Sequence, residues 1–342
     1  MNQSIDQMIK DAETLLNQSI IVTRGPRSEQ SELWCLDTRS QRYWLKYYHT
    51  PSSALRERDW LEKISSRDIG TQIFATLNQQ SMLFHDVSGQ SLIHLAELAQ
   101  GELDPKEVIP KEVTPEEVIR EEVIREEVVA DALYQALDTL HSYPSDQNDP
   151  LPLHKAIPQR WKGSIKVVLH ELMALKDPLR ARVIEGINYL QAVIHESTVY
   201  FDPLLSLNLL QERVLCHRDL RLSHIFFDRQ TRTVRFIDFG QARYDCSVFD
   251  WAQLWSQIVI NPIDQVTHWQ SRVIQGAITR RLDACTTTDS ALIEHWFAIC
   301  TIAQGIGGFA WSIRHKVPKD HPAWTRAIQQ LNRGLEYVLS LP

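Results

Sequence analysis

The sequence predicts an α+β fold: a small antiparallel-sheet lobe followed by a larger, mainly helical lobe. Three observations lead there. Short runs rich in β-branched and aromatic residues crowd the first 90 positions, with a single helical pattern among them. Helical patterns then dominate the rest, and strands first with helices after is the order of an α+β chain. Finally, 342 residues, 43% of them apolar, exceed one small domain and suffice for two cores sharing a cleft.

Residues 3–17 open the chain as a helix, with Ile5, Met8, Ile9, Leu15 and Leu16 on a loose apolar face. Three strand runs follow, "SIIVTR" (19–24), "ELWCLDT" (32–38) and "RYWLKYY" (42–48), separated by turn-rich "GPRSEQS" and "RSQ", which makes a meander. "SALRERDWLEKI" (53–64) is a helix that turns Leu61 and Ile64 inward. "IFATLNQQSMLFHDV" (73–87) is a hairpin around "NQQ". The lobe boundary is expected at Val87–Ser88–Gly89, dividing the chain into 1–88 and 89–342.

Residues 106–130 are a five-residue repeat: KEVIP, KEVTP, EEVIR, EEVIR, EEVVA. Five residues advance a helix by roughly 140° beyond a full turn, so the Val/Ile positions wind around it and present no single apolar face. Residues 106–128 therefore read as a solvated insertion ahead of a core helix, with a protein-binding surface as the other reading. The core face starts at Val129 and continues through Leu133, Ala136, Leu137 and Leu140, ending near His141. Residues 159–197 and 250–339 are helical. Gly305, Gly307 and Gly308 are expected to let helices approach closely, and Trp251, Trp255, Trp296 and Trp311 to fill the core, an aromatic cage for a cationic acceptor being the other reading.

The net charge of −7 lies in one place. Between Glu102 and Asp131 there are eleven acids and four bases, so the remainder is neutral and lacks the basic surface of a general nucleic-acid binder. Cys35, Cys216, Cys246, Cys285 and Cys300 are scattered without a CxxC pair, which fits free thiols in a reducing compartment rather than a disulfide scaffold or zinc site. No run reaches the roughly 18 apolar residues of a spanning helix, and the polar N-terminus does not read as a signal peptide. The expected location is cytoplasmic.

The chemistry concentrates in "VLCHRDLRLSHIFFDRQTRTVRFIDFGQAR" (214–243). "HIFFD" and "VRFIDF" form a hairpin around "RQTRT", which is expected to bring Asp219, before the first strand, near Asp238, after the second. Two carboxylates beside Gly240 suit a divalent cation and a hydroxyl nucleophile, and phosphoryl transfer asks of a protein mainly positioning and charge neutralisation. The plain alternative is a pair of turn carboxylates; Lys46 in the third strand and Glu57 in the next helix weigh against it. His217 reads as a brace for the loop.

The ordered set Lys46, Glu57, "HRD" and "DFG" resembles the protein-kinase-like superfamily, and within it the aminoglycoside phosphotransferase and choline kinase-like branch, over about residues 19–315. "FIDFGQAR…DCSVFDWAQL", "LFHDVSGQSLIHL" (83–95), "LDTLHS" and "IGGFAWSIRH" carry the likeness. The resemblance implies a bilobal protein-kinase-like fold with a nucleotide-binding N-lobe (1–88) and a catalytic, acceptor-binding C-lobe (89–342). It implies ATP and Mg²⁺ as cofactors, Mn²⁺ also being suitable, and a small hydroxylated acceptor such as an aminoglycoside, macrolide or amino alcohol. By the same resemblance, Asp219 is the base, Asp238 a metal ligand, Lys46 the α/β-phosphate partner and Glu57 its ion pair. His85 and Val87 belong to the adenine hinge, and Asp250 anchors a helix. Four departures stand out. Gly25 is alone where a glycine-rich loop is usual, which leaves Ser28 and Ser31 as phosphate donors. Arg218 stands where the branch has Gly. Arg221 is placed to stabilise γ-phosphate charge. His224 replaces the metal-binding Asn, and neutral imidazole is a softer ligand than an amide oxygen; it protonates near a reference pKa of about 6.5. A similar HRD…H pattern occurs in lipopolysaccharide-core sugar kinases, a second reading; a nucleotide-binding pseudokinase scaffold is a third.

Overall fold

The computed structural model describes residues 4–27, 31–100, 125–145, 151–206, 213–258, 268–284 and 290–340. Its contacts divide the chain into two units: residues up to 124 with 221–242, and 125–220 with 243–342.

The first unit begins with α1 (Ile5–Leu16), whose N-cap Ser4 accepts from the Gln7 amide. Five strands follow: β1 (Ile21–Arg27), β2 (Ser31–Asp37), β3 (Arg42–Tyr48), β4 (Ile73–Asn78) and β5 (Ser81–His85), in the sheet order β1-β2-β3-β5-β4. The meander and the second hairpin are as expected, and it is β5 that joins the meander edge. Side chains alternate across a strand, so β3 serves two faces. Leu45 packs with Met8, Ala12, Trp34, Leu36 and Leu83, with Tyr43 and Tyr47 alongside. Lys46 points the other way, toward α2 (Pro51–Ile64).

Helix α2 is capped by Thr50, carries Pro51 in its first turn, and buries Ala54, Glu57, Leu61 and Ile64. Glu57 therefore occupies a position in the apolar stripe, where a charge persists only with a partner. Beyond β5 come β6 (Gln90–Ser91), α3 (Leu92–Gln100) and the hairpin β8 (Ile225–Asp228) and β9 (Thr233–Phe236). Strand β6 pairs with β8, placing Gln90 opposite Phe227. Gly89 has φ +97°, and a Cβ there would lie 2.3 Å from the Phe227 carbonyl oxygen, so only glycine permits the approach. Backbone bonds from Phe236 to Ile69 and from Thr71 to Phe236 tie the hairpin further in. The division thus differs from the expected break at 88/89: residues past Gly89 and the 221–242 segment belong with the sheet.

In the second unit, α4 (Glu126–His141) buries Val129, Leu133, Ala136, Leu137 and Leu140 and packs on α9 (His268–Ala284). The last copy of the repeat, EEVVA, thus forms the first turn of α4; residues 106–124 lie outside the described residues. The expected 159–197 helix is two, α5 (Leu153–Glu171) and α6 (Leu179–His195), followed by α7 (Ser197–Ser206). Strands β7 (Val214–Cys216) and β10 (Arg243–Asp245) pair antiparallel, and α8 (Val248–Ile258), α10 (Ser290–Arg314) and α11 (Pro322–Ser340) complete the unit.

By length and composition α10 could cross a membrane, yet it is mostly buried and packs on α5, α6, α8 and α11. Contrary to the expectation for all three glycines, only Gly305 and Gly308 sit against α11. A Cβ at 305 would lie 2.7 Å from the Leu331 nitrogen, whereas Gly307 meets nothing within 4 Å. Trp251, Trp255 and Trp296 are buried, and Trp296 stacks edge-on against Phe201 at 4.8 Å. Trp311 is half-buried and stacks on His315. The described cysteines are all free and buried; Cys285 lies outside the described residues.

Candidate active site

The first unit assembles four of the expected site residues in one cluster. Lys46 donates to Glu57 Oε2 at 2.8 Å, Glu57 Oε1 at 3.1 Å and Asp238 Oδ1 at 2.9 Å. Its ammonium also lies 5.1 Å from the Tyr48 ring centroid. Burial opposes the Lys46 charge, but the two carboxylates outweigh it and raise its pKa. Burial pushes the Glu57 carboxyl up, against the pull of Lys46.

Asp238 is held by the backbone as well. It adopts φ 65°, ψ 63°, a left-handed conformation that costs a non-glycine residue on the order of 1–3 kcal/mol. The short turn after it, Phe239–Gln241, packs on α2 with Phe239 fully buried. One helix therefore positions both Glu57 and the turn that follows Asp238. His224 Nε2 lies 3.9 Å from Asp238 Oδ2. The His224 carbonyl accepts from the Ile237 amide, and its own amide donates to the Arg221 carbonyl, so the two ends of the hairpin are fixed together.

Of the expected hinge residues, His85 ends β5 with its amide donating to the Gln72 carbonyl and its ring against Tyr43 and Phe74. Val87 follows, half-buried, two residues before Gly89. Ser28 lies outside the described residues, and Ser31 opens β2.

The second unit holds the loop that carries Asp219. Asp250, fully buried in α8, accepts from the His217 amide at 2.8 Å, the Arg218 amide at 2.9 Å and His141 Nε2 at 3.1 Å. Despite its burial, which works the other way, hydrogen bonds led by that of His141 lower its pKa. Gln253 adds two contacts, donating to the Arg218 carbonyl and accepting from the Leu220 amide. The buried His217 ring accepts the Asp219 amide through Nδ1 at 3.3 Å, which places its ring proton on Nε2. Arg218 has φ 67°. The loop is thus held residue by residue from 217 to 220, with Asp219 half-buried at its centre.

Two features of this unit escape sequence reasoning. His141 reads there only as a helix end, because its partner Asp250 lies 109 positions away. Asp245, with Arg160 and Arg243, has one local signal, an acid two residues after Arg243 in a short strand.

A family model described as a phosphotransferase enzyme family matches residues 23–283. No curated protein matches the chain in sequence. Among solved structures, the chain is similar to a thermostable mutant of aminoglycoside phosphotransferase APH(4)-Ia in ternary complex with AMP-PNP and hygromycin B. The TM-score is 0.62 at 10% identity, covering 98% of this chain and 99% of that one. It is similar to a type I macrolide 2'-phosphotransferase (TM-score 0.59, 14% identity, 95% and 96% covered). It is also similar to choline kinase from Cryptosporidium parvum (TM-score 0.59, 13% identity, 94% and 90% covered).

Proposed function

The chain belongs to the phosphotransferase enzyme family, and from that premise we propose that it moves the γ-phosphoryl group of ATP to a hydroxyl of a small molecule of the aminoglycoside, macrolide or amino-alcohol kind. The observation that carries this reading is the Lys46–Glu57–Asp238 chain of ion pairs in the first unit. A strand lysine, a helix carboxylate and a carboxylate after a β-hairpin are the parts that grip nucleotide phosphates and their metal. The solved relative holding AMP-PNP and hygromycin B supports the same pairing of nucleotide and acceptor.

The residues fit a divalent cation. One ammonium faces two carboxylates, leaving an acidic excess, and Asp238 and His224 offer lone pairs 3.9 Å apart. In this reading Asp238 and His224 hold Mg²⁺, which supplies charge neutralisation at the phosphates. All three Lys46 protons are engaged, two by Glu57 and one by Asp238. Gripping a phosphate therefore means moving one of them from Asp238 to a phosphate oxygen, which leaves the Asp238 carboxylate available as a ligand. Glu57, buried, keeps Lys46 in place meanwhile.

In the second unit, Asp219 accepts the proton of the attacking hydroxyl. The His217 ring holds its amide and Asp250 holds the two amides before it, while Arg221, in the first unit, stabilises developing phosphate charge. The assay is ATP consumption with Mg²⁺ or Mn²⁺ against a panel of hydroxylated small molecules. Asp219→Asn should lower turnover on the order of 10²–10⁴-fold as a lost general base; unchanged turnover would remove Asp219 from the mechanism.

A further inference from the structure

Three arginines of the second unit converge on one carboxylate. Asp245, at the end of β10, has no exposed surface. Arg160 grips it with both ends of its fork, at 2.6 and 2.7 Å. The Cys246 amide donates to it at 2.9 Å and Arg243 Nε at 3.2 Å. Arg218 Nε stands at 3.7 Å, beyond hydrogen-bonding distance. The Phe249 ring lies 4.2 Å from the Arg218 guanidinium carbon and 5.5 Å from that of Arg160, so cation–π attraction helps hold like charges together.

Three guanidinium groups against one carboxylate leave an excess of two positive charges. Among the described residues no other carboxylate pairs with these guanidinium groups. Asp250 is engaged by His141 and two backbone amides. Burial raises the Cys216 and Cys246 thiols, the latter to about 12, so both stay neutral. The strain shows in Arg243, pushed down to about 10 chiefly by Arg218. Arginine does not relieve such repulsion by losing its proton near neutral pH. A purely structural role for Asp245 accounts for Arg160, which satisfies it bidentately, but not for Arg243 and Arg218. The Arg243 side chain is 49% exposed and that of Arg160 36%, while Arg218 Nη1 is buried with no hydrogen-bond partner.

We propose that Arg160, Arg218 and Arg243 form an oxyanion site for a phosphate-like dianion, free or as a phosphate monoester. A dianion matches the excess charge, and planar guanidinium forks match tetrahedral oxyanions two oxygens at a time. Arg218 is the residue before Asp219 and sits in a left-handed conformation, so an anion held by its side chain steadies the loop that presents the base.

The test is calorimetric titration of the full chain with inorganic phosphate, against chloride at matched ionic strength. The expected result is saturable binding that chloride does not reproduce. Arg243→Gln should weaken it about tenfold, the scale of one charge-assisted hydrogen bond, with Arg243→Lys between the two. No saturation by about 10 mM, a concentration well above a millimolar Kd, overturns the proposal. So does an affinity that Arg243→Gln leaves unchanged. Should Arg243→Gln not fold, the phosphate-against-chloride comparison and Arg243→Lys, expected to bind more weakly than the unaltered chain, decide. Competition separates the sources: a hydroxyl compound bearing a phosphate monoester displaces phosphate if the anion belongs to the acceptor, and its dephosphorylated form does not. If neither displaces phosphate while phosphate still saturates, the site takes the free anion. The titration needs no turnover, so its failure is distinct from failure of the phosphotransferase assay.

Discussion

The two units each bury a cluster of paired charges, and the clusters are unbalanced in opposite senses. In the first, Lys46 faces Glu57 and Asp238, an acidic excess. In the second, Asp245 faces Arg160, Arg218 and Arg243, a basic excess. The two differ in how they can be relieved. A buried carboxyl can take up a proton, and Glu57 is already shifted in that direction. A guanidinium group has no such exit. The first cluster should therefore tolerate loss of a charge and mainly lose chemistry, whereas the second should lose stability.

The sharpest test of that contrast is Asp245→Asn. Removing the only carboxylate leaves three cations facing a neutral amide, and breaking a buried pair costs about 3–5 kcal/mol. Denaturant unfolding should show this loss, with little more than an indirect effect on the first unit. The pH dependence has a definite sign. The Asp245 pKa is depressed because its arginine partners, Arg218 first, overcome the opposing effect of burial. Its contribution is complete at neutral pH and is lost as pH falls below about 4, the unfolded-state value, toward the lower folded value. The stability gap between Asp245→Asn and the unaltered chain should accordingly be constant from pH 7 to 5 and shrink in stronger acid. A gap independent of pH down to acid unfolding would mean that the arginines do not act through the Asp245 charge.

Lys46→Met probes the other side. It removes the group proposed to grip phosphate, so turnover should drop about 10²–10³-fold, the scale for one preorganised electrostatic donor. Stability should fall less than in Asp245→Asn, because Glu57 can protonate. Equal destabilisation by the two substitutions would erase the contrast. Glu57→Gln is milder. It keeps the side-chain shape but weakens the hold on Lys46, and a loss of about tenfold in activity is expected, as for other residues that orient a functional group through a hydrogen bond.

Legibility in the sequence followed the distance over which each feature is encoded. Lys46 and Glu57, eleven residues apart, were readable because the strand and the helix that carry them each have their own periodic pattern. The β8–β9 hairpin was readable from its polar turn. The assignment of 221–242 to the first unit was not: it rests on the two-residue strand Gln90–Ser91, too short for a period, and on the positive φ of Gly89. Nor was the Arg160–Asp245 pair, whose members lie 85 positions apart and meet only after α5 and β10 have packed. Asp250 was expected as a helix anchor, but its use of His141 and two loop amides depends on the folded loop.

The smallest expected effect belongs to His224, and it refines the first cluster. Its Nε2 faces Asp238 Oδ2 at 3.9 Å, a spacing that leaves room for both atoms to serve one ion. If they do, exchanging imidazole for an amide oxygen changes the hardness of one ligand and leaves the other in place. Oxygen favours Mg²⁺, whereas imidazole also accommodates softer transition ions. His224→Asn should therefore shift the ratio of Mn²⁺-supported to Mg²⁺-supported turnover toward Mg²⁺ by a few-fold, with folding stability nearly unchanged. A proportionate drop with both metals would instead assign His224 to fixing the hairpin ends, where its backbone already links Arg221 and Ile237. Metal titration of both forms, read as activity at saturating nucleotide, distinguishes a ligand that discriminates between ions from a residue that only holds Asp238 in its left-handed turn.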